Sequence, residues 1–126
     1  MSVVLDASAI LAVLLDEPGR ERVLPVMTGA FVSSVNLGEV LSRAVDQGFD
    51  VDQTASGLAR LEMQIMPFAH ADAIEAARLR LTTKRVGASL GDRACLALAQ
   101  RLRLPVLTAD RAWSSLGLAV EIVQIR

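Results

Sequence analysis

The sequence predicts an α/β fold in which a short parallel β-sheet is sandwiched between α-helices. Three observations carry that prediction. Short apolar runs alternate along the chain with longer segments of helical periodicity. Apolar residues make up 52% of the chain and aromatics only 3%, so the core must be assembled from Leu, Val, Ile and Ala. That supply suits Ala- and Leu-filled helices joined to short Val-rich strands. The chain has 126 residues with no low-complexity tract, long linker or clear repeat, which predicts a single domain over 1–126.

The elements follow in order. Residues 2–5 form a short apolar run and read as a buried strand. Residues 7–15 are apolar nearly all round and read as a buried helix. Pro18-Gly19 breaks the chain, and 20–27 is a short helix with Pro25 as an obstacle inside it. Phe31–Ser33 is a second strand. Ser34 or Asn36 caps a helix that runs to about residue 47, where Gly48 stops it. Asp52 opens a helix towards Leu61, and 64–67 is a short strand. In 70–81 the positions 70, 73, 74, 77 and 81 follow helical spacing. Ser89 or Gly91 opens a helix reaching Arg103. A strand over 105–107, a short helix over 110–115 and a last strand over 120–125 complete the chain.

Composition excludes some roles. The longest unbroken apolar run, 9–15, is seven residues, against about 20 for a membrane span. Met1-Ser2-Val3-Val4-Leu5-Asp6 lacks the basic start, apolar stretch and cleavage site of a secretory signal. The single Cys95 cannot form an internal disulfide, which fits a reducing cytoplasm. The net charge of −1 supplies no global basic field for nucleic acid. Twelve of the thirteen basic residues are Arg, a fork suited to phosphate, but a GC-rich genome accounts for the skew without any site.

The carboxylates carry the chemistry. In parallel sheets, sites form at the carboxyl ends of the strands. Asp6 directly follows the first strand, and Asp110 follows the strand over 105–107 after Thr108-Ala109. Asp92 lies in the first turn of its helix, near the stripe of Cys95, Ala99 and Leu102, and should face the body of the protein. Each acid also has a purely structural explanation. Asp6 and Asp110 could be helix N-caps, Ser89-x-x-Asp92 fits a capping box, and Asn36-x-x-Glu39 resembles one. If the helix starts share one edge, however, the acids converge. Two carboxylates about 5 Å apart repel by about 3 kcal/mol at an effective dielectric near 20. A hard cation such as Mg²⁺ or Mn²⁺ would offset that charge and support phosphodiester hydrolysis. Glu39 is the exception. The stripe Leu37, Val40, Leu41, Ala44 puts it on the opposite helix face, exposed and in reach of Arg43 at i+4.

At these residues the sequence resembles the PIN-domain ribonucleases, and specifically VapC-type toxins of bacterial toxin–antitoxin pairs. Val4-Leu5-Asp6-Ala7-Ser8 resembles the family's strand ending in D-x-S/T. Ser34-Val35-Asn36-Leu37-Gly38-Glu39-Val40 resembles the helix carrying the second acid. The segment from Gly91-Asp92-Arg93 to Ala99 resembles the third motif, and Thr108-Ala109-Asp110-Arg111-Ala112-Trp113 the fourth. The resemblance implies a PIN-like fold, Mg²⁺ or Mn²⁺, cleavage of RNA (tRNA or rRNA), neutralisation by a VapB-type antitoxin, and a homodimer. Carried over by position, Asp6, Glu39, Asp92 and Asp110 would bind metal and act as the catalytic set, with Ser8 and Thr108 orienting it. Many relatives have an Asn and a later Asp in the fourth motif. Here Asp110 is followed by Trp113 and Ser114, which leaves a second metal position open.

Other chemistries find less support. His70 is the only histidine, so a zinc site lacks ligands, and packing or capping is expected of it. Cys95 falls on an apolar stripe and reads as inert core. No nucleophile elbow or Gly-rich phosphate loop is present. Trp113 packs in the core or stacks on a base. Arg93 and Arg111 either reach RNA phosphates or are solvated surface charge. The rival class is a catalytically silent PIN-like or receiver-like interaction module. A receiver needs a paired acidic cluster and a late lysine, and Lys84 fits that poorly. A haloacid dehalogenase-like phosphatase needs D-x-D, which fails at Ser8.

Overall fold

Alternating apolar segments and amphipathic helices wind into a three-layer α/β structure. The computed structural model describes residues 2–126; Met1, the first residue of the stretch read for a leader and of the 1–126 domain, lies outside them. The strands are β1 (Val4–Leu5), β2 (Phe31–Ser33), β3 (Gln64–Met66), β4 (Val106–Thr108) and β5 (Ile122–Gln124). The helices are α1 (Ala7–Leu14), α2 (Arg20–Val23), α3 (Ser34–Asp46), α4 (Val51–Ala59), α5 (His70–Thr83) and α6 (Leu90–Leu102). Short 3₁₀ turns lie at Leu24–Val26, Lys84–Val86 and Arg111–Ser115. The sheet has the order β3-β2-β1-β4-β5, and every pair in it is parallel. No helix among the described residues is long and apolar enough to cross a membrane.

The sheet is buried on both faces, which explains why its central strands are unbroken apolar runs rather than alternating ones. Val3 and Leu5 enter the core that holds Ile10, Val23, Val32 and Val40, while Val4 enters the core of Cys95, Leu96, Val106 and Trp113. Each such fully buried side chain contributes roughly 1.5–3 kcal/mol. Register sets Val4 beside Phe31 and Val106, and Leu5 beside Leu107. The residues that follow β1 and β4 therefore emerge side by side on one edge.

Four local expectations are corrected. The helix expected over 20–27 ends at Val23, because Pro25 has no N–H for a helical bond and turns the next residues into 3₁₀. The cap of α3 is Ser33, which accepts from the Val35 N–H at 3.2 Å, and not Ser34 or Asn36. Asp50, not Asp52, caps α4, accepting from the Gln53 N–H at 2.9 Å. The stripe 70, 73, 74, 77, 81 of α5 faces outwards: Ile74 is 47% exposed and Leu81 is 85% exposed. The buried face is Ala76, Leu79 and Thr83. Small Ala76 sits under α6, and Thr83 satisfies its hydroxyl by donating to the Leu79 carbonyl at 2.8 Å, so a polar residue takes a core position without cost in hydrogen bonds.

Candidate active site at the carboxyl edge of the sheet

Asp6 is the centre of the edge. It leaves β1 as the N-cap position of α1, with its own N–H bonded to the Leu107 carbonyl at 3.1 Å. Its side chain makes no cap hydrogen bond. Instead Oδ2 accepts from Ser8 Oγ at 2.7 Å and from Thr108 Oγ1 at 2.9 Å. Both hydroxyls are themselves held: Ser8 Oγ accepts from the Ala109 N–H at 2.9 Å, and Thr108 Oγ1 accepts from the Asp110 N–H at 3.0 Å. The hydroxyls donate to Asp6 because an ionised carboxylate only accepts, and each keeps a lone pair for the N–H it receives.

Asp6 is only 4% exposed. Burial pushes its carboxyl up to about 6, the Ser8 and Thr108 hydrogen bonds pull it back, and the charge of Asp92 adds to the rise. Cys95 records the same crowding from beneath. Its buried thiol is pushed well above the ordinary range, first by burial and then by the charges of Asp6, Asp92 and Glu39. The thiol thus feels the charge of three of the four carboxylates.

Asp92 completes a capping box. Its N–H bonds Ser89 Oγ at 3.1 Å, and its Oδ2 accepts from the Ser89 N–H at 2.9 Å. Ser89, not Gly91, is therefore the cap. Glu39 is exposed, as the periodicity predicted, but its expected pairing is corrected: no ion pair joins it to Arg43 among the described residues. Asn36 Nδ2 donates to Glu39 Oε1 at 2.9 Å and to the Gly91 carbonyl at 2.9 Å. The buried stripe of α3 is Asn36, Val40 and Ala44. Leu37 and Leu41 pack against the same core, so the apolar stripe holds, and Asn36 is the buried polar residue it leaves out.

Asp110 is exposed, caps the 3₁₀ turn Arg111–Ser115 by accepting from the Ala112 N–H at 3.0 Å, and is linked to Asp6 through Thr108. Gln124 Nε2 holds the Asp110 carbonyl at 2.9 Å and Ser114 Oγ at 3.0 Å. Gln124 went unnoticed in the sequence, where nothing marks it.

Arg93 is half-buried: its guanidinium donates to the Ala76 carbonyl at 2.9 Å and ties α6 to α5, so it is not a freely solvated surface charge. Arg111 is exposed beside Asp110. Trp113 is 1% exposed and packs in the core, which removes base stacking. His70 is exposed at the start of α5, where the Asp72 carboxylate rather than His70 takes the Ala69 N–H at 2.8 Å.

Among the described residues, no three acidic, His or Cys side chains stand close enough to form a ready cage for a metal ion. The donor set nevertheless suits a hard divalent cation. Its oxygens are carboxylates, and the buried charge of Asp6, with Asp92 adding to its cost, is what a cation offsets. Mg²⁺ usually takes one or two carboxylates and keeps waters, so it requires no all-protein cage.

The chain belongs to the PIN domain family: the model of the PIN domain matches residues 3–118. No curated protein matches the sequence. Solved structures do. A toxin–antitoxin complex from Klebsiella pneumoniae aligns with a TM-score of 0.80 at 18% identity, over 98% of each chain. VapC20 of Mycobacterium tuberculosis, described as a sarcin-ricin loop cleaving toxin, aligns with a TM-score of 0.74 at 15% identity, over 93% of this chain and 96% of its own. A VapBC family member from the same organism, VapBC-5, aligns at 26% identity with a TM-score of 0.56, over 99% and 98%. At 15–18% identity the likeness establishes the fold.

Proposed function

We propose that this PIN domain is a divalent-metal-dependent endoribonuclease, the toxin of a VapBC-type pair held silent by a cognate antitoxin. The observation that carries the reading is the buried Asp6 carboxylate, held by Ser8 and Thr108 at the edge where parallel sheets place their sites, with the Glu39 head group against Gly91, the residue before Asp92. Asp6, Glu39, Asp92 and Asp110 are the residues that would hold Mg²⁺ or Mn²⁺, Asp110 from the β4 side. Bound there, the cation's contribution is to stabilise charge on the phosphodiester and to activate the attacking water.

The chain's own residues prepare that chemistry. Ser8 and Thr108 aim the Asp6 carboxylate and keep one of its oxygens fixed. Asp92 is held by its capping box, which fixes its rotamer. Arg111, exposed beside Asp110, is placed to meet an RNA phosphate. One domain, a cytoplasmic location and a homodimer belong to the same reading. The antitoxin is supported by the solved relatives, which are described as toxin–antitoxin complexes.

The test is cleavage of total RNA by the purified protein with Mg²⁺ or Mn²⁺, with sequencing of the new RNA ends to identify the target. Cleavage is expected to stop with EDTA and in Asp6→Asn and Asp92→Asn proteins whose circular dichroism is unchanged. Full activity in Asp92→Asn, or indifference to EDTA, would refute the reading. A second reading, a catalytically silent PIN-like module, is favoured by the use of Asp92 and Asp110 as caps. It predicts no metal-dependent cleavage in any RNA pool and intact binding of a protein partner.

A further inference from the structure

Asn36 is fully buried, yet it is the most polar side chain on the inner face of α3. Its amide bridges two elements that have no sequence proximity. One N–H goes to Glu39 Oε1 on its own helix, and the other goes to the Gly91 carbonyl at the start of α6. Both partners are pure acceptors, so the nitrogen and not the oxygen must face them. The amide oxygen is left buried with no partner among the described residues. Leaving a buried acceptor unpaired is costly, and a Leu of similar volume would fill the same space without that cost. Packing alone therefore does not call for an amide at this position.

Gly91 supplies the second, independent observation. A Cβ built there would overlap the Glu39 carboxylate at both oxygens. The Glu39 head group thus lies against the bare α-carbon of Gly91, in space that any other residue would occupy. This Gly sits in a helix, where it is less favourable than Ala by roughly 0.8–1.0 kcal/mol, and its backbone is not in the left-handed region that calls for Gly. Close approach of Glu39 is the remaining reason for its presence.

We infer that Asn36 is the positioning residue for Glu39: it fixes that carboxylate over Gly91, the residue before Asp92, and so sets the position of an acid that receives the divalent cation. The inference rests on the proposed metal-dependent function. Asn36 does not touch substrate; it acts through Glu39. Gly91 is the complementary half, a gap that admits the head group Asn36 holds.

The two halves can be perturbed in opposite ways. Asn36→Leu removes the donor and fills the volume. Gly91→Ala improves helix propensity, and its clash is with the flexible end of Glu39, which can swing away. Stability and metal affinity are therefore expected to part company in Gly91→Ala. Mn²⁺ affinity is measured by isothermal titration calorimetry on the full chain, with unfolding by urea in EDTA as the control. Losing such an outer partner typically weakens metal binding by roughly 10–100-fold. The expected result is a loss of that order in both Asn36→Leu and Gly91→Ala, with no loss of metal-free stability in Gly91→Ala. Asn36→Leu added to Glu39→Gln is expected to weaken binding no further than Glu39→Gln alone. Wild-type affinity in Gly91→Ala, or additive losses in the double variant, would overturn the inference while leaving the nuclease reading intact. A wild-type protein that binds no Mn²⁺ would overturn both. Should Asn36→Leu fail to fold, Gly91→Ala alone decides.

Discussion

Asp6→Asn should make the metal-free protein more stable at neutral pH, although it removes the central acid of the site. In the folded state burial pushes the Asp6 carboxyl from an ordinary value of 3.8 to about 6. The native protein therefore binds more protons than the unfolded chain between those values, and stability falls as pH rises through that window. Each unit corresponds to about 1.36 kcal/mol, so a rise of about two units costs the folded state roughly 3 kcal/mol once pH exceeds about 6. Asn is neutral throughout and keeps an oxygen that can accept from Ser8 and Thr108. The difference in unfolding free energy between Asp6→Asn and wild type should be near its low-pH value below pH 4 and grow by about 3 kcal/mol by pH 7. Other titrating groups shift both proteins together, so the difference isolates Asp6. Urea titrations in EDTA at half-unit steps from pH 4 to 7.5 measure it. Mn²⁺ at about 1,000 times its Kd should then reverse the order, since a ligand at that level adds about 4.1 kcal/mol to whichever protein binds it. Parallel stability curves for the two proteins would refute the argument that burial and the neighbouring acid load the Asp6 charge.

Two further outcomes follow from the hydrogen-bond pattern. Thr108→Val removes a donor to Asp6 and strands the Asp110 N–H, and should cost about 1–3 kcal/mol in urea unfolding while raising the pH at which the Asp6-linked loss occurs. Arg93→Met should lose about 1.5–3 kcal/mol with the charged hydrogen bond to the Ala76 carbonyl; its affinity for RNA by filter binding should stay at the wild-type level, because the guanidinium is engaged with α5, whereas Arg111→Ala should weaken that affinity and leave stability within about 0.5 kcal/mol.

Much of the architecture was legible from residues 2–5, Phe31–Ser33 and 105–107. Runs of buried Val and Leu between helical segments allow little but a parallel sheet covered on both faces. The placement of Asp6 at a strand end and of Asp92 in a capping box followed from chain-local chemistry, because caps and strand ends are decided within a few residues. The face of α5 was not legible. Its apolar spacing was real, but two faces of that helix carry apolar residues, and packing on α6 chose Ala76 and Leu79 over Ile74 and Leu81.

Glu39 and Arg93 mark the boundary most clearly. Both are charged residues on helices, and local pattern assigns both to solvent. Arg93 is captured by a carbonyl of another helix, 17 residues away in sequence, and Glu39 is tethered by an amide whose second hydrogen bond reaches 55 residues along the chain. Periodicity and capping are short-range properties, so the chain alone set the strands, the helix starts and the edge on which Asp6 emerges. Which polar groups meet across that edge depends on how α3, α5 and α6 settle against each other, and hydrogen bonds between segments distant in sequence leave no local trace. The tertiary packing therefore decided that the Glu39 carboxylate lies against Gly91, next in the chain to Asp92, while Asp110 caps its own 3₁₀ turn.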